Sequence, residues 1–166
     1  MTPTLSVTDR ASEGDLAQIR AGLAASDPAL GPYAPVPLAV LLHAPQPGGG
    51  GDSGALIGGL VGETVWGWLS VRLLWVDPGH RGAGHGRRLL AAAEAEGRRR
   101  GCRNARLSTF SFQAAGFYAR CGWRQVLALE GFPRGHRRLF YVKALSMPRP
   151  SARTEGSAAR ARSAGT

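Results

Sequence analysis

The stretch Val76-Asp77-Pro78-Gly79-His80-Arg81-Gly82-Ala83-Gly84-His85-Gly86-Arg87 leaves few folds open, because an apolar run, Leu73 to Val76, passes into alternate glycines that open a helical pattern. Glycine lets the backbone take positive φ and come close to a ligand, and the first N–H groups of the following helix then point at it with the positive helix end. A strand–glycine turn–helix of this kind is expected to cradle an anion, and its extent suits a pyrophosphate. Spacing excludes two common nucleotide loops. A dinucleotide fingerprint would need glycine where Arg87 stands, and a Walker loop ends in Gly-Lys-Ser/Thr, whereas the only lysine of the chain is Lys143.

Around this loop the pattern alternates between strands and helices. Thr8 to Ser26 reads as helix, with Ala11, Leu16, Ile19 and Leu23 apolar. Val36 to His43 reads as a strand, and Pro45 to Gly54 as a flexible hairpin loop. Ala55 to Val61 and Thr64 to Val76 read as strands, the second interrupted near Gly67. Gly84 to Arg100 is a helix with Leu89, Leu90 and Ala93 on its buried face, Glu94–Arg98 and Glu96–Arg100 as i,i+4 pairs, and Gly101 just beyond its end. Ala105 to Phe110 is a strand, Ser111 is placed to cap a helix through Tyr118, and Gly122 ends that helix. Trp123 to Phe132 and Arg137 to Leu145 form a closing hairpin over Pro133 to His136. This order predicts an α/β (α+β) domain with a mixed sheet.

Arg81, Gly84 and Gly86, read as Arg-x-x-Gly-x-Gly after a strand, resemble the coenzyme A loop of the GCN5-related N-acetyltransferases (GNAT). A second motif agrees. Ala114, Tyr118, Gly122 and Trp123 match in register that family's Asn-x-x-Ala-x-x-x-Tyr-x-x-x-Gly-aromatic helix, with Ser111 standing where the asparagine is usual. The resemblance covers about residues 55–145, and the closing portion looks like a bacterial subgroup whose acceptors are usually small amines. It implies a three-layer domain with a central splayed sheet, the pantetheine arm of acetyl-CoA entering between the strand ending at Val76 and the one through Leu107. It further implies coenzyme contacts from Leu74, Trp75 and Val76, from Arg81, Gly82, Ala83, Gly84, His85, Gly86 and Arg87, and from Ser111. Tyr118 is the implied general acid, since a phenol O–H suits protonation of a departing thiolate. The resemblance also suggests a homodimer.

The general base is left open. Glu63, Glu130, His43 and His136 are the side chains with suitable chemistry, and a water relay is the alternative. His80 and His85 flank the phosphate loop.

The 166 residues, 43% of them hydrophobic, suit one domain over residues 1–145. Neither a membrane span nor a signal peptide is indicated, which points to the cytoplasm. Cys102 and Cys121 lack metal-ligand spacing, so reduced thiols and no metal are expected. The formal charge is +10, of which residues 146–166, read as a disordered basic tail, carry +3 and leave +7. Arg87, Arg88, Arg98, Arg99, Arg100 and Arg103 are expected to surround one helix and attend the coenzyme's phosphates. A basic domain is a poor host for polycations such as polyamines. The reading is an acetyl-CoA-dependent N-acetyltransferase of a small primary amine. A catalytically silent acyl-CoA sensor and, behind it, a basic nucleic-acid-binding module are the alternatives.

Overall fold

The computed structural model describes residues 3–26, 33–45 and 54–145; most of the expected hairpin loop and the expected tail lie outside them. The elements are α1 (Glu13–Ser26), β1 (Val36–His43), β2 (Leu56–Val65), β3 (Trp68–Val76), α2 (His85–Arg99), β4 (Asn104–Phe110), α3 (Ala115–Arg120), β5 (Arg124–Glu130) and β6 (Arg137–Ala144). They build one mixed sheet in the order β1-β2-β3-β4-β6-β5. Only β3 and β4 run parallel, over Trp68–Val71 against Asn104–Leu107. Beyond those residues the two strands part. The expected α/β fold with a splayed sheet flanked by helices is therefore the fold observed.

The parting has a local cause. Val61 pairs with Leu73 but its neighbour Gly62 pairs with Val71, so Arg72 is an extra residue on β3. Such a bulge bends and twists its strand. Gly62 is what lets β2 follow, since a Cβ there would collide with the Ser70 carbonyl oxygen. The expected turn between Val61 and Thr64 is thus misplaced: Gly62 and Glu63 lie within β2, and the chain reverses at Trp66-Gly67. Both turn residues have positive φ, 48° and 74°, as a two-residue hairpin matched to strand twist requires.

Helix α1 starts later than expected because Ser12 caps it, accepting from Asp15 N at 3.0 Å and donating to Asp15 Oδ2 at 2.6 Å. It contributes no buried residue. Helix α2 matches expectation, with Gly84 before it, Gly101 at φ 79° after it, and Leu89, Leu90 and Ala93 buried against β1, β2 and β3. Gly97 gives close approach, because a Cβ there would meet Leu69 and Leu145 at 3.2–3.3 Å. Leu60, Leu69, Leu90 and Leu145 form the fully buried centre. Both cysteines are free; Cys102 is buried, and burial pushes its thiol pKa up.

Two polar clusters fix α2 at its middle and end. Glu94, only 5% exposed, accepts from Trp123 Nε1 at 3.0 Å and from Lys143 Nζ at 2.9 and 2.8 Å. Lys143 also donates to the Cys121 carbonyl at 2.8 Å. The expected pairing with Arg98 is looser, at 3.6 Å. At the helix end Glu96 binds Arg99 and Arg100, and Arg100 Nη1 continues to the carbonyls of Pro37 and Val36 at 3.0 and 3.2 Å.

Hydrogen bonds from Arg99 and then Arg100 hold the Glu96 carboxyl down at about 2, against an ordinary 4.5. A carboxylate depressed on folding stabilises fully above its unfolded value and loses that contribution as pH falls through the folded one. The Tm difference between the wild type and Glu96→Gln should therefore be present above about pH 4.5 and vanish towards about pH 2. Thermal melts across that range would show it. A difference independent of pH would contradict the pairing.

Candidate active site

The turn after β3 is organised by its own side chains. Asp77 Oδ1 accepts from Gly79 N at 3.0 Å and meets His80 Nδ1 at 2.9 Å. The hydrogen bond to His80, helped by the Gly79 N–H, keeps the Asp77 carboxyl below its usual range. Arg81 Nε donates to the Val76 carbonyl at 3.0 Å, clasping the turn to the strand. Gly82 and Gly84, on either side of Ala83, take φ of 84° and 80°, and a Cβ on either would meet no atom within 4 Å. The space over this loop is open to a guest. The N–H groups of His85, Gly86 and Arg87 have no partner within the helix. His85 Nδ1 is buried and unpartnered. An orphaned buried nitrogen beside a free helix N-terminus suits an anionic oxygen.

The structure adds detail to two expectations about this loop. Gly86 has a packing role beside its free N–H: a Cβ there would press on the Phe117 ring at 3.3 Å, so its bareness lets α3 pack against the loop. The arginine cluster is also divided. Arg87 and Arg88 lie in the first turn of α2, whereas Arg98, Arg99, Arg100 and Arg103 stand at its other end, about 20 Å away at 1.5 Å per residue. Arg100 there anchors β1, not a phosphate.

The gap between β3 and β4 offers backbone. Asp77 N donates to Ile57 O at 2.9 Å, and in an antiparallel ladder alternate residues turn to the same partner. Trp75 thus turns its N–H and C=O to β2, while Leu74 and Val76 turn theirs into the gap. The Val76 carbonyl is taken by Arg81, so that residue offers its N–H. Trp75 has no backbone group for an inserted arm.

Helix α3 puts Tyr118 beside the gap. Its ring lies 5.1 Å from Phe117, 6.5 Å from Trp123 and 5.6 Å from Tyr141, which is paired with Leu107 across β4 and β6. Burial first, then Cys121 and Tyr141, pushes the Tyr118 phenol pKa up, so it keeps its proton at neutral pH. No described residue hydrogen-bonds its hydroxyl. Ser111 does not cap α3, which begins at Ala115 with no side-chain cap. Its Oγ instead accepts from Arg137 N at 3.0 Å, extending the β4–β6 pairing. Gln113 binds back to Phe110 N and Thr109 Oγ1.

On the sheet face away from α2 lies a cleft of about 870 Å³, lined among others by Trp68, Ser70, Leu73, Arg106, Ser108 and Phe140. Of the base candidates, the structure brings one to its rim. Glu63 pairs with Ser70, and its neighbour Thr64 holds Arg100 of the helix face, so alternation turns Glu63 to the cleft side. Its carboxylate lies 3.7 Å from Arg72 Nη1. His43 ends β1, two strands from the gap, and Glu130 ends the edge strand β5. His136 packs against Phe112 at 4.8 Å on the late hairpin. Sequence reasoning placed Glu63 in a turn; counting register from Trp66-Gly67 would have found it opposite Ser70.

Gly84→Val would fill the open space and force a β-branched residue into positive φ. Binding of coenzyme A, measured by calorimetry, should weaken by at least about 2 kcal/mol, the scale of losing charge-assisted hydrogen bonds. Unchanged affinity in a folded variant would remove the loop from the site.

Comparison with known proteins agrees with this geometry. A family described as "Acetyltransferase (GNAT) domain" matches residues 50–125. A blasticidin-S acetyltransferase of Streptomyces morookaense is 49% identical over 96 residues, 57% of this chain and 71% of that protein. An acetyltransferase of Agrobacterium fabrum is 44% identical over 84 residues, 51% of this chain and 61% of that protein. A crystal structure described as an acetyltransferase of Agrobacterium tumefaciens superposes with TM-score 0.70 at 31% identity, over 86% of this chain and 99% of that one. On these matches and the shared fold, this chain belongs to the GNAT acetyltransferases.

Proposed function

We propose that the protein transfers the acetyl group of acetyl-CoA to a primary amine of a small molecule by direct attack on the thioester. The observation that carries this reading is the parting of β3 and β4 after Val71 and Leu107, with an anion cradle at one mouth of the gap and the cleft on the opposite face. An extended pantetheine arm in the gap would bond Leu74 and the Val76 N–H as an added strand does. The pyrophosphate would then rest on Gly82, Gly84 and the α2 N-terminus, with His85 Nδ1 as a further contact. The similarity to a protein named for blasticidin-S supports a small-molecule acceptor over a protein.

The chemistry follows from the groups at the gap. The amine nitrogen attacks the thioester carbon, the C–N bond forms, and the tetrahedral oxyanion is met by a β3 N–H aimed into the gap. Collapse breaks the C–S bond, and the thiolate takes the Tyr118 proton, which solvent later restores. The proton lost by the ammonium goes to Glu63, directly or through a water.

An acetyl-CoA-dependent thiol-release screen over small amines tests the whole reading. Tight acetyl-CoA binding with no thiol released by any amine would instead favour a silent acyl-CoA sensor. Tyr118→Phe keeps the ring packing and deletes the acid; kcat should fall roughly 10²-fold with acetyl-CoA affinity little changed. Full turnover in that variant, with chemistry rate-limiting, would reduce Tyr118 to a packing residue. Glu63→Gln should likewise lower kcat/KM by roughly 10²-fold near neutral pH and flatten the acid limb of the pH profile. An unaltered profile would leave proton removal to water alone.

A further inference from the structure

We propose that the acceptor carries an anionic group, a carboxylate or its equivalent, at a distance from the amine, and that Arg138 receives it; the proposal rests on the acetyltransfer reading above. Arg138 lines the cleft from β6 and is half-buried. Its Nε and Nη2 both donate to Ser108 Oγ, at 3.1 and 3.0 Å. The guanidinium also lies over the rings of Phe132, Phe140 and Phe110, at 5.3, 5.5 and 5.6 Å. One edge of the fork is thus fixed by a neutral hydroxyl and the plane by aromatic rings. The other edge, Nη1 with Nη2, has no acidic partner among the described residues. A half-buried cation held in one orientation and left without an anion is unusual for a structural arginine, and the free edge has the geometry that grips a carboxylate in two parallel hydrogen bonds.

The remaining charges of the cleft agree with this polarity. Arg72 and Arg106 also line it, and Arg72 lies near Glu63. Glu63 stands on β2 and Arg138 on β6, on opposite sides of the gap. An acceptor with its ammonium towards Glu63 and its anion towards Arg138 would be laid across the opening, its nitrogen drawn to the place where the thioester is expected. Those strands are three spacings apart, about 14 Å before the splay is counted. Long side chains shorten that span, but the two charges of the acceptor must still be several bonds apart.

The test uses ligands that need no turnover. N-acetyl ω-amino acids of increasing chain length, each paired with its carboxamide, are titrated calorimetrically into the full-length protein saturated with coenzyme A. The acids of sufficient length should bind about tenfold or more tighter than their amides, the scale of a bidentate charge-assisted contact. Arg138→Gln should abolish that preference while the protein still unfolds cooperatively and coenzyme A affinity stays unchanged, and Arg138→Lys should keep only part of it. Equal binding of acid and amide throughout the series, or a preference that survives Arg138→Gln, overturns the proposal. A protein that prefers the acids through Arg138 yet releases no thiol with any free amine, the corresponding ω-amino acids included, would refute the acetyltransfer reading and still support the anion subsite.

Discussion

The candidate site of this protein depends on two parallel strands that stop pairing partway. A β-ladder broken in the interior leaves N–H and C=O groups without partners, a cost that folded proteins rarely carry unmatched. Here the break is enforced by the Arg72 bulge and admitted by Gly62, whose lack of a side chain lets β2 stay against the bent strand. Part of the cost is met internally, since Arg81 caps the Val76 carbonyl. What is left unmet is the set of groups a guest strand would satisfy, so the defect in the sheet and the proposed seat for an extended ligand arm have one origin.

A sheet joined across its middle by so short a ladder needs another tie between its halves. Glu94 supplies it. The carboxylate reaches from α2, which covers β1, β2 and β3, to Trp123 before β5 and Lys143 on β6. Leu145 adds an apolar tie, packing near Gly97 and Leu69. The carboxylate is buried but fully engaged, and a buried charge pair of this kind specifies an arrangement more than it adds stability. Removing either partner alone would leave an uncompensated charge between the halves.

Much of this was readable from residue order. The glycine loop, the α2 boundaries and the register of Tyr118 with Gly122 and Trp123 are local signals, carried by φ requirements and helical spacing. What escaped was set by pairing between distant strands. Gly62-Glu63 looks like a turn until β2 is known to run on to a mirror-type turn at Trp66, a residue seldom found at positive φ. Glu94 reads as a helix-surface partner of Arg98 because nothing near it announces Lys143, 49 residues on. Ser111 has the chemistry of a cap, but the hairpin strand claimed its hydroxyl first. The arginines of α2 look like one cluster in sequence and are separated by the helix's own length.

Lys143, the single lysine of the chain, is engaged by two Glu94 oxygens and a carbonyl. An enzyme that handles an activated acetyl group is exposed to its own reagent, and solvent-facing ε-amines are the usual targets of stray acylation. This surface presents arginine in place of lysine, and guanidinium does not attack thioesters at neutral pH. The remaining ε-amine is hydrogen-bonded to Glu94 and Cys121 and mostly covered, so in the folded protein it is inert towards a thioester by cover and engagement. That inertness would be lost on unfolding, which makes acetylation of Lys143 a mark of molecules that have opened.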